Sequence, residues 1–355
     1  MKPNIKDFSA DELANFLEER GHPVYRAKQI CQWLFQKRAL AFSDMTNLSR
    51  PLRDRLEQEF SISRLSVLRR AESRDGTVKF LFGLGDDASI ESVLIPESHR
   101  LTLCISTQAG CGFGCAFCAT ALMGLKRNLT ASEIVDQILE ASRTLTAERR
   151  VTHVVLMGMG EPLANYANTL RALKIMTDGD WGIGISPRRV TLSSVGLVPQ
   201  IKKLMAESRV NLAISLHAAT DELRGELMPV NRKYSLKQLI DCCRSLPVPR
   251  RKRITFEYVL LRGVNDSAED ARALVKLLKG IACKVNVIPF NPHPGSKFER
   301  PSEDEIARFQ AVLYDAGVQI NVRRPRGDDI QAACGQLQGE ETGRVARRTR
   351  LATAV

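Results

Sequence analysis

No apolar run in this sequence approaches the roughly 18 to 20 residues that a membrane span requires, and its 355 residues carry no internal repeat. A helical membrane protein is excluded, and a non-repetitive globular fold is expected. Residues 1–7 are polar and lack the apolar stretch of a secretory signal, so a cytoplasmic location is expected. Nine cysteines without such a signal argue against a disulfide framework and for metal binding or redox chemistry in a reducing compartment.

What is present begins with length and charge. At this length one minimal domain is exceeded, so a main domain of barrel or doubly wound size with one or two appendages is expected. The composition, 44% hydrophobic and 26% charged, is that of an ordinary globular protein. A formal net charge of +12 points toward a polyanionic partner, because each Lys or Arg set against a phosphate releases condensed counterion. A generic basic surface is the plainer reading of the same excess.

Along the chain, residues 1–60 read as a small helical domain. It opens on the capping box Ser9 to Glu12, with Leu13, Phe16 and Leu17 at helical spacing. A second helix is expected to bury Ile30, Trp33 and Leu34, and a third to start near Ser49 with Pro51 in its first turn. Such a module fits RNA binding or plain packing equally well. Residues 61–100 change to short alternating runs with turn signals at Asp75-Gly76 and 83–87, as for strands joined by hairpins. From there to about residue 325, strand-like runs at 101–105, 151–157, 189–192, 210–215, 254–260, 284–288 and 318–322 alternate with helical patterns. About six or seven strands in βα order predict an α/β fold, a parallel and partly closed barrel of (β/α)6 type. Residues 326–355 form a C-terminal segment, with a basic tail from 340 carrying Arg344, Arg347, Arg348 and Arg350.

Cys111, Cys115 and Cys118 form C-x-x-x-C-x-x-C in a Gly-rich loop after the first barrel strand, the end where parallel α/β folds place their chemistry. Thiolates so spaced suit an iron–sulfur cluster, and three of them leave one iron open to a cofactor or substrate. A structural zinc site would need a fourth Cys or His, and no second short pair accompanies the loop.

This loop, with Phe117 before its last cysteine, resembles the signature of radical-SAM enzymes. Around it, Cys118-Ala119-Thr120, Met123-Gly124, Arg127-Asn128-Leu129-Thr130 and Glu133-Ile134 are similar to the RlmN group of adenosine C2 methyltransferases. The similarity extends through Pro289-Phe290-Asn291-Pro292 and Arg326-Gly327-Asp328-Asp329 to Ala333-Cys334-Gly335-Gln336-Leu337, nearly the whole chain. It implies a radical-SAM barrel with one [4Fe–4S] cluster on Cys111, Cys115 and Cys118, two S-adenosylmethionine molecules per turnover, and 23S rRNA and tRNA, next to the anticodon, as substrates. An electron donor such as flavodoxin and a monomeric enzyme are implied as well.

The resemblance also assigns residues. Gly160 and Glu161, in Gly158-Met159-Gly160-Glu161-Pro162, would hold the ammonium group of S-adenosylmethionine, and Ser193, Ser215, Leu216, His217 and Asn291 would complete its pocket. The order Ser193-Ser194-Val195-Gly196 leaves the contacting hydroxyl open between the first two. Read without the family, His217 is a satisfied core histidine and Asn291 is turn chemistry. Cys334 would be the methyl carrier and Cys104, 230 positions earlier, the resolving partner. Glu91 would take the ring proton.

Such a route is needed because C2 and C8 of adenine are electron-poor sp² carbons that do not displace a sulfonium methyl. In the family, one S-adenosylmethionine methylates the carrier thiolate. The 5′-deoxyadenosyl radical from a second removes a hydrogen from that methyl, the carbon adds to the ring, and a disulfide between the two cysteines frees the product. Cys31, Cys242, Cys243 and Cys283 have no matching role and read as structural. Arg323, Arg324 and Arg326 suit phosphates around the target, which should be an unpaired or extruded adenosine. The nearest rival is the Cfr type, aimed at adenine C8 and associated with antibiotic resistance; a small-molecule or peptide radical-SAM enzyme and a non-catalytic RNA-binding protein with a structural metal lie further off.

Overall fold

A computed structural model describes residues 2–249 and 252–339; the basic tail expected from 340 lies outside the described residues. Three helices open the chain: α1 (Ala10–Glu18), α2 (Tyr25–Phe35) and α3 (Arg50–Glu59). Ser9 Oγ accepts the Glu12 amide at 3.1 Å while Glu12 Oε2 accepts the Ser9 amide at 2.6 Å, the reciprocal cap that the sequence predicts. Leu13, Leu17, Ile30 and Leu34 are buried, and Phe16 packs edge-on against Phe60 at 4.9 Å. Trp33 departs from expectation. It sits on the flank of α2, half-buried, because its indole N–H donates to Asn47 Oδ1 and Lys37 covers its ring; Cys31 and Phe35 fill the buried face instead.

The antiparallel strands β1 (Ser66–Glu72), β2 (Val78–Gly83), β3 (Ser89–Glu97) and β4 (Arg100–Cys104) follow. A small pair not foreseen from the sequence, β5 (Gln108–Gly110) with β6 (Leu125–Asn128), flanks the cysteine loop and the short helix α4 (Ala119–Leu122). Then strand and helix alternate: α5 (Ala131–Arg143), β7 (His153–Leu156), α6 (Tyr166–Thr177), β8 (Val190–Ser194), α7 (Val198–Glu207), β9 (Asn211–Ser215), α8 (Asp221–Leu227), α9 (Leu236–Ser245), β10 (Ile254–Leu260), α10 (Ala268–Leu278), β11 (Cys283–Pro289), α11 (Glu303–Asp315) and β12 (Ile320–Val322).

One ten-stranded sheet runs β1-β2-β3-β4-β7-β8-β9-β10-β11-β12, and every pairing from β4 onward is parallel. Among the described residues no ladder joins β12 back to β3 or β4, so the expected partial barrel is present with an open seam. Side chains alternate across the strands: Val190, Leu192 and Ser194 of β8 are buried on one face, while Thr191 and Ser193 line internal cavities. No helix among the described residues is long and apolar enough to cross a membrane. The buried pair Lys6–Asp136 ties the N-terminal helices to α5, and Gln32 Nε2 donates to the Asp180 carbonyl at 2.8 Å.

Candidate active site

The cysteine loop spans β5 to α4 and is fixed by its backbone. The Cys111 amide donates to the Gly124 carbonyl at 2.9 Å, Ala116 to Leu227 at 2.9 Å and Cys118 to Cys115 at 3.2 Å. Gly110 is obligatory here, since at its φ of +77° a Cβ would stand 1.9 Å from the Gly124 carbonyl oxygen. All three cysteines are free. Burial pushes the Cys111 thiol up to about 11, aided by the charge of Cys118, and burial together with Cys118 and Cys111 raises Cys115 further. Closely grouped thiols that resist ionisation in isolation fit a group that supplies positive charge and deprotonates them on binding. Among the described residues no three potential ligands converge as for one metal ion. Three free thiols of one loop that act on one another electrostatically are the donor chemistry of an iron–sulfur cluster with three protein ligands.

Beside the loop lies an open cavity with about 790 Å³ of empty space, lined among others by Cys118, Gly160, Glu161, Ser193, Ser215, His217, Asn291 and Cys334. The chain reaches its first wall through Gly158-Met159-Gly160. A Cβ on Gly160, at φ +93°, would meet Gln108 Cβ at 2.4 Å, and one on Gly158 would meet the Ile105 carbonyl oxygen at 2.7 Å. The backbone therefore packs flat on the loop after β4, and Gln108 Oε1 accepts the Glu161 amide at 2.8 Å. Glu161 is buried. Its Oε1 accepts the Leu163 amide at 3.0 Å and its Oε2 the Val195 amide at 2.8 Å. Burial raises this carboxyl to about 7 against those hydrogen bonds, and a cationic ligand group would relieve the desolvation.

The next walls come from β8 and β9. Ser193 Oγ lies 3.4 Å from Ser215 Oγ, both facing the cavity, whereas Ser194 turns away to accept the Gly196 amide at 3.1 Å. Of the two hydroxyls left open by the sequence, that of Ser193 lines the cavity, while Ser194 also hydrogen-bonds to Glu161. The side chain of Leu216 is fully buried and is not among the residues that line the cavity. Its amide donates to the Glu257 carbonyl at 3.0 Å and its carbonyl accepts Arg224 Nε at 3.1 Å. His217, at φ +60°, does face the cavity and stacks edge-on with Phe117 at 4.7 Å. Its Nδ1 accepts the Val259 amide at 3.0 Å, so the ring proton belongs on Nε2. Burial, with the Arg224 charge, lowers its pKa to about 3, and the ring is a neutral donor.

Asn291 and Cys334 meet on the far wall, where Asn291 Nδ2 donates to the Cys334 carbonyl at 3.2 Å. Cys334 is exposed. Cys104, at the end of β4, is buried and is not part of the lining. Burial pushes its thiol up to about 12, with a further rise from Cys334 and an opposing pull from Arg323. The two cysteines are therefore electrostatic neighbours, and both are free thiols. Arg323, expected to grip phosphate, lines the cavity beside Cys334 and has its guanidinium pKa raised chiefly by that sulfur. Glu91 is not brought together with Cys334. It lies in a separate cavity under the C-terminal segment, paired with Lys79 at 3.1 Å, and its Oε2 accepts the Gln338 amide at 2.7 Å; burial raises its carboxyl above the usual range.

Two participants were missed in the sequence. Arg224 is fully buried and donates to the carbonyls of Leu216, Val195 and Ser215 and to Asn231 Oδ1 at 2.8–3.2 Å, locking the ends of β8 and β9 together. Glu257, in register with Ser215, lines the same cavity. Its Oε1 accepts Asn286 Nδ2 at 2.9 Å, while Oε2 has no hydrogen-bond partner and lies 4.0 Å from Arg323 Nη1.

Known proteins resemble this chain along most of its length. Residues 105–277 match the Radical SAM superfamily and residues 3–62 the ribosomal RNA large subunit methyltransferase N-terminal domain. Dual-specificity RNA methyltransferases RlmN of Syntrophobacter fumaroxidans and Geobacter sulfurreducens are each 51% identical over 95% of this chain, which covers 98% and 92% of their lengths. The crystal structure of a radical SAM methyltransferase from Sphaerobacter thermophilus, 44% identical, superposes with a TM-score of 0.89 over 95% of this chain and all of its own.

Proposed function

The chain belongs to the RlmN family of radical SAM RNA methyltransferases, and on that footing we propose that it methylates C2 of an adenosine in 23S rRNA and in tRNA next to the anticodon. The observation that carries this reading is the placement of Cys334. An exposed thiol faces the same cavity as Cys118, Glu161, Ser193, Ser215, His217 and Asn291, with the buried thiol of Cys104 as its electrostatic neighbour.

In this reading Cys111, Cys115 and Cys118 hold one [4Fe–4S] cluster, whose fourth iron and electron, with two S-adenosylmethionine molecules per turnover, supply the methyl group and the hydrogen-abstracting radical. Glu161 receives the ammonium group of the cofactor. Ser193 and Ser215 offer hydroxyls, and the Nε2–H of His217 and the amide of Asn291 offer further donors from opposite walls. Leu216 contributes its backbone to the strand end rather than its side chain to the pocket. Cys334 takes the methyl group on its sulfur and presents the carbon to the adenine. Cys104, as a thiolate, then bonds to that sulfur while the electron pair of the breaking sulfur–carbon bond passes to the carbon, which takes a proton to become the new methyl group. The disulfide so formed is a transient of turnover that an external reductant must reopen. Arg323, between the two thiols and Glu257, favours whichever sulfur bears negative charge. Glu91 is the proposed base for the ring proton, and the role requires Gln338 to release its Oε2. The enzyme is read as a cytoplasmic monomer served by an electron donor such as flavodoxin.

The reading is tested by anaerobic reaction of the cluster-loaded protein with RNA, S-adenosylmethionine and a reductant, followed by mass spectrometry of the nucleosides. 2-Methyladenosine is expected. 8-Methyladenosine would move the protein to the Cfr type, and no methylated adenosine from a preparation that cleaves S-adenosylmethionine would refute the RNA substrate.

A further inference from the structure

We propose that the open seam of the barrel is a track for the phosphodiester backbone of the RNA, leading to Cys334. The inference rests on the RNA-methylation reading and adds where the RNA lies. The seam between β4 and β12 opens onto a cleft in the barrel interior, whose floor carries His153 and Val155 of β7, Thr191 of β8 and Ile288 of β11. One lip carries Glu97 of β3 with Arg100 and Thr102 of β4, the other Asn321 and Val322 of β12 and the Arg323 to Arg326 stretch that follows. Arg188 and Arg189, from the single turn Pro187–Arg189 before β8, stand at its strand-entry end, and Cys334 borders it at the other.

Six guanidinium groups line this cleft, those of Arg100, Arg188, Arg189, Arg323, Arg324 and Arg326, against one carboxylate, Glu97. That carboxylate is already taken: Arg100 holds it through two nitrogens at 2.5 and 2.8 Å. Arg188, Arg189 and Arg324 are exposed and have no ion-pair partner among the described residues. The field they make is felt locally, since His153 on the cleft wall is held below its ordinary pKa by burial and then by Arg100 and Arg189. Concentrated charge of one sign along a cleft raises the local concentration of an anionic ligand, and guanidinium forks match phosphate oxygens.

The shape selects a chain of phosphates over a single anion. Cys104 lies outside the lining but beside Cys334 and so marks the level of the far end: from Arg100 to it the strand advances about 13 Å at ~3.3 Å per residue, too far for one phosphate to be shared by both ends. No Phe, Tyr or Trp lines the cleft, so it has no surface for stacking bases and reads the backbone, which carries no sequence information directly. A track of this kind accepts RNAs of different sequence, as an enzyme with two unlike RNA substrates needs.

The test uses the cluster-loaded, full-length protein kept anaerobic, with an in vitro transcribed tRNA and a 23S rRNA fragment as probes. Dissociation constants are measured between about 50 and 200 mM KCl. At ~0.7 to 0.9 of salt slope per phosphate contact, the triple variant Arg188→Ala, Arg189→Ala, Arg324→Ala should lower the slope by about 2 to 3 for both RNAs. Its reductive cleavage of S-adenosylmethionine without RNA should match the parent protein. A control triple on the outer helices and their ends, Lys202→Ala, Lys276→Ala, Lys279→Ala, removes the same charge and should leave the slope within about 0.5 of the parent. An unchanged slope in the seam variant, an equal drop in the control, or no RNA binding by the parent overturns the proposal. Methylation by the parent is scored alongside: seam-dependent binding without any methylated adenosine would leave the track standing and fault the assigned chemistry.

Discussion

Asn291 Nδ2 donates to the carbonyl oxygen of Cys334 at 3.2 Å, so a loop at the C-terminal end of β11 holds the one exposed cysteine of the cavity wall in place. The hold is double. Gln336 Nε2 donates to the Pro292 carbonyl at 2.7 Å while its Oε1 accepts the Ala333 amide at 3.1 Å.

Replacing Asn291 by Ala removes one bond of this pair, a loss of about 1 kcal/mol at a partly buried site. Methyl loading of Cys334 from S-adenosylmethionine, followed by mass spectrometry of the Cys334 peptide, should slow about five-fold. The thermal midpoint should fall by only a few degrees, since the second bond and the remaining contacts persist.

Gly160→Ala should be far more damaging than its size suggests. The added Cβ meets Gln108 Cβ at 2.4 Å at a φ of +93°, and Gln108 is the residue that accepts the Glu161 amide. Strain of about 1–3 kcal/mol falls on the cofactor wall. Calorimetric titration of S-adenosylmethionine into the cluster-loaded variant should show at least a ten-fold loss of affinity, while Gly179→Ala, where a Cβ meets nothing within 4 Å, should bind normally.

These contacts also mark how far the sequence could be read. The capping box at Ser9, the alternation of strands and helices and the cysteine loop are local patterns, and they appear where expected. Strand periodicity could have carried the reading further. In β8 the apolar Val190 and Leu192 fix one face, which puts Ser193 with Thr191 on the other; the same alternation through Leu212, Ile214 and Leu216 turns the Leu216 side chain away from Ser215 and His217. Arg224 and Glu257 were beyond reach, because their partners are carbonyls and side chains on neighbouring strands that only the parallel register brings together. The surroundings of Glu91 were out of reach for a similar reason: the C-terminal segment lies over it through the Gln338 amide, and nothing local in β3 announces that cover.

His217 gives a pH signature. Its pKa is lowered to about 3 in the folded state from the ordinary value near 6.5, so the folded protein resists a proton that the unfolded chain accepts. The stability this neutral ring contributes is present above about pH 6.5 and is lost as pH falls from there toward 3. Denaturant unfolding at pH 7.5 and pH 5.0 should therefore show a smaller loss on acidification in His217→Gln than in the parent. An identical loss in both would place the acid sensitivity elsewhere.

The pairing of Cys334 with Cys104 is the claim on which the chemistry turns, and covalent capture tests it most directly. Cluster-loaded Cys104→Ala and Cys334→Ala proteins are each incubated with RNA, S-adenosylmethionine and reductant, and protein–RNA adducts are resolved on denaturing gels and mapped by mass spectrometry. Cys104→Ala should accumulate an adduct linked through Cys334, because nothing is left to take the sulfur, and Cys334→Ala should form none. An adduct in both variants, or in neither, would contradict the assignment of carrier and resolver.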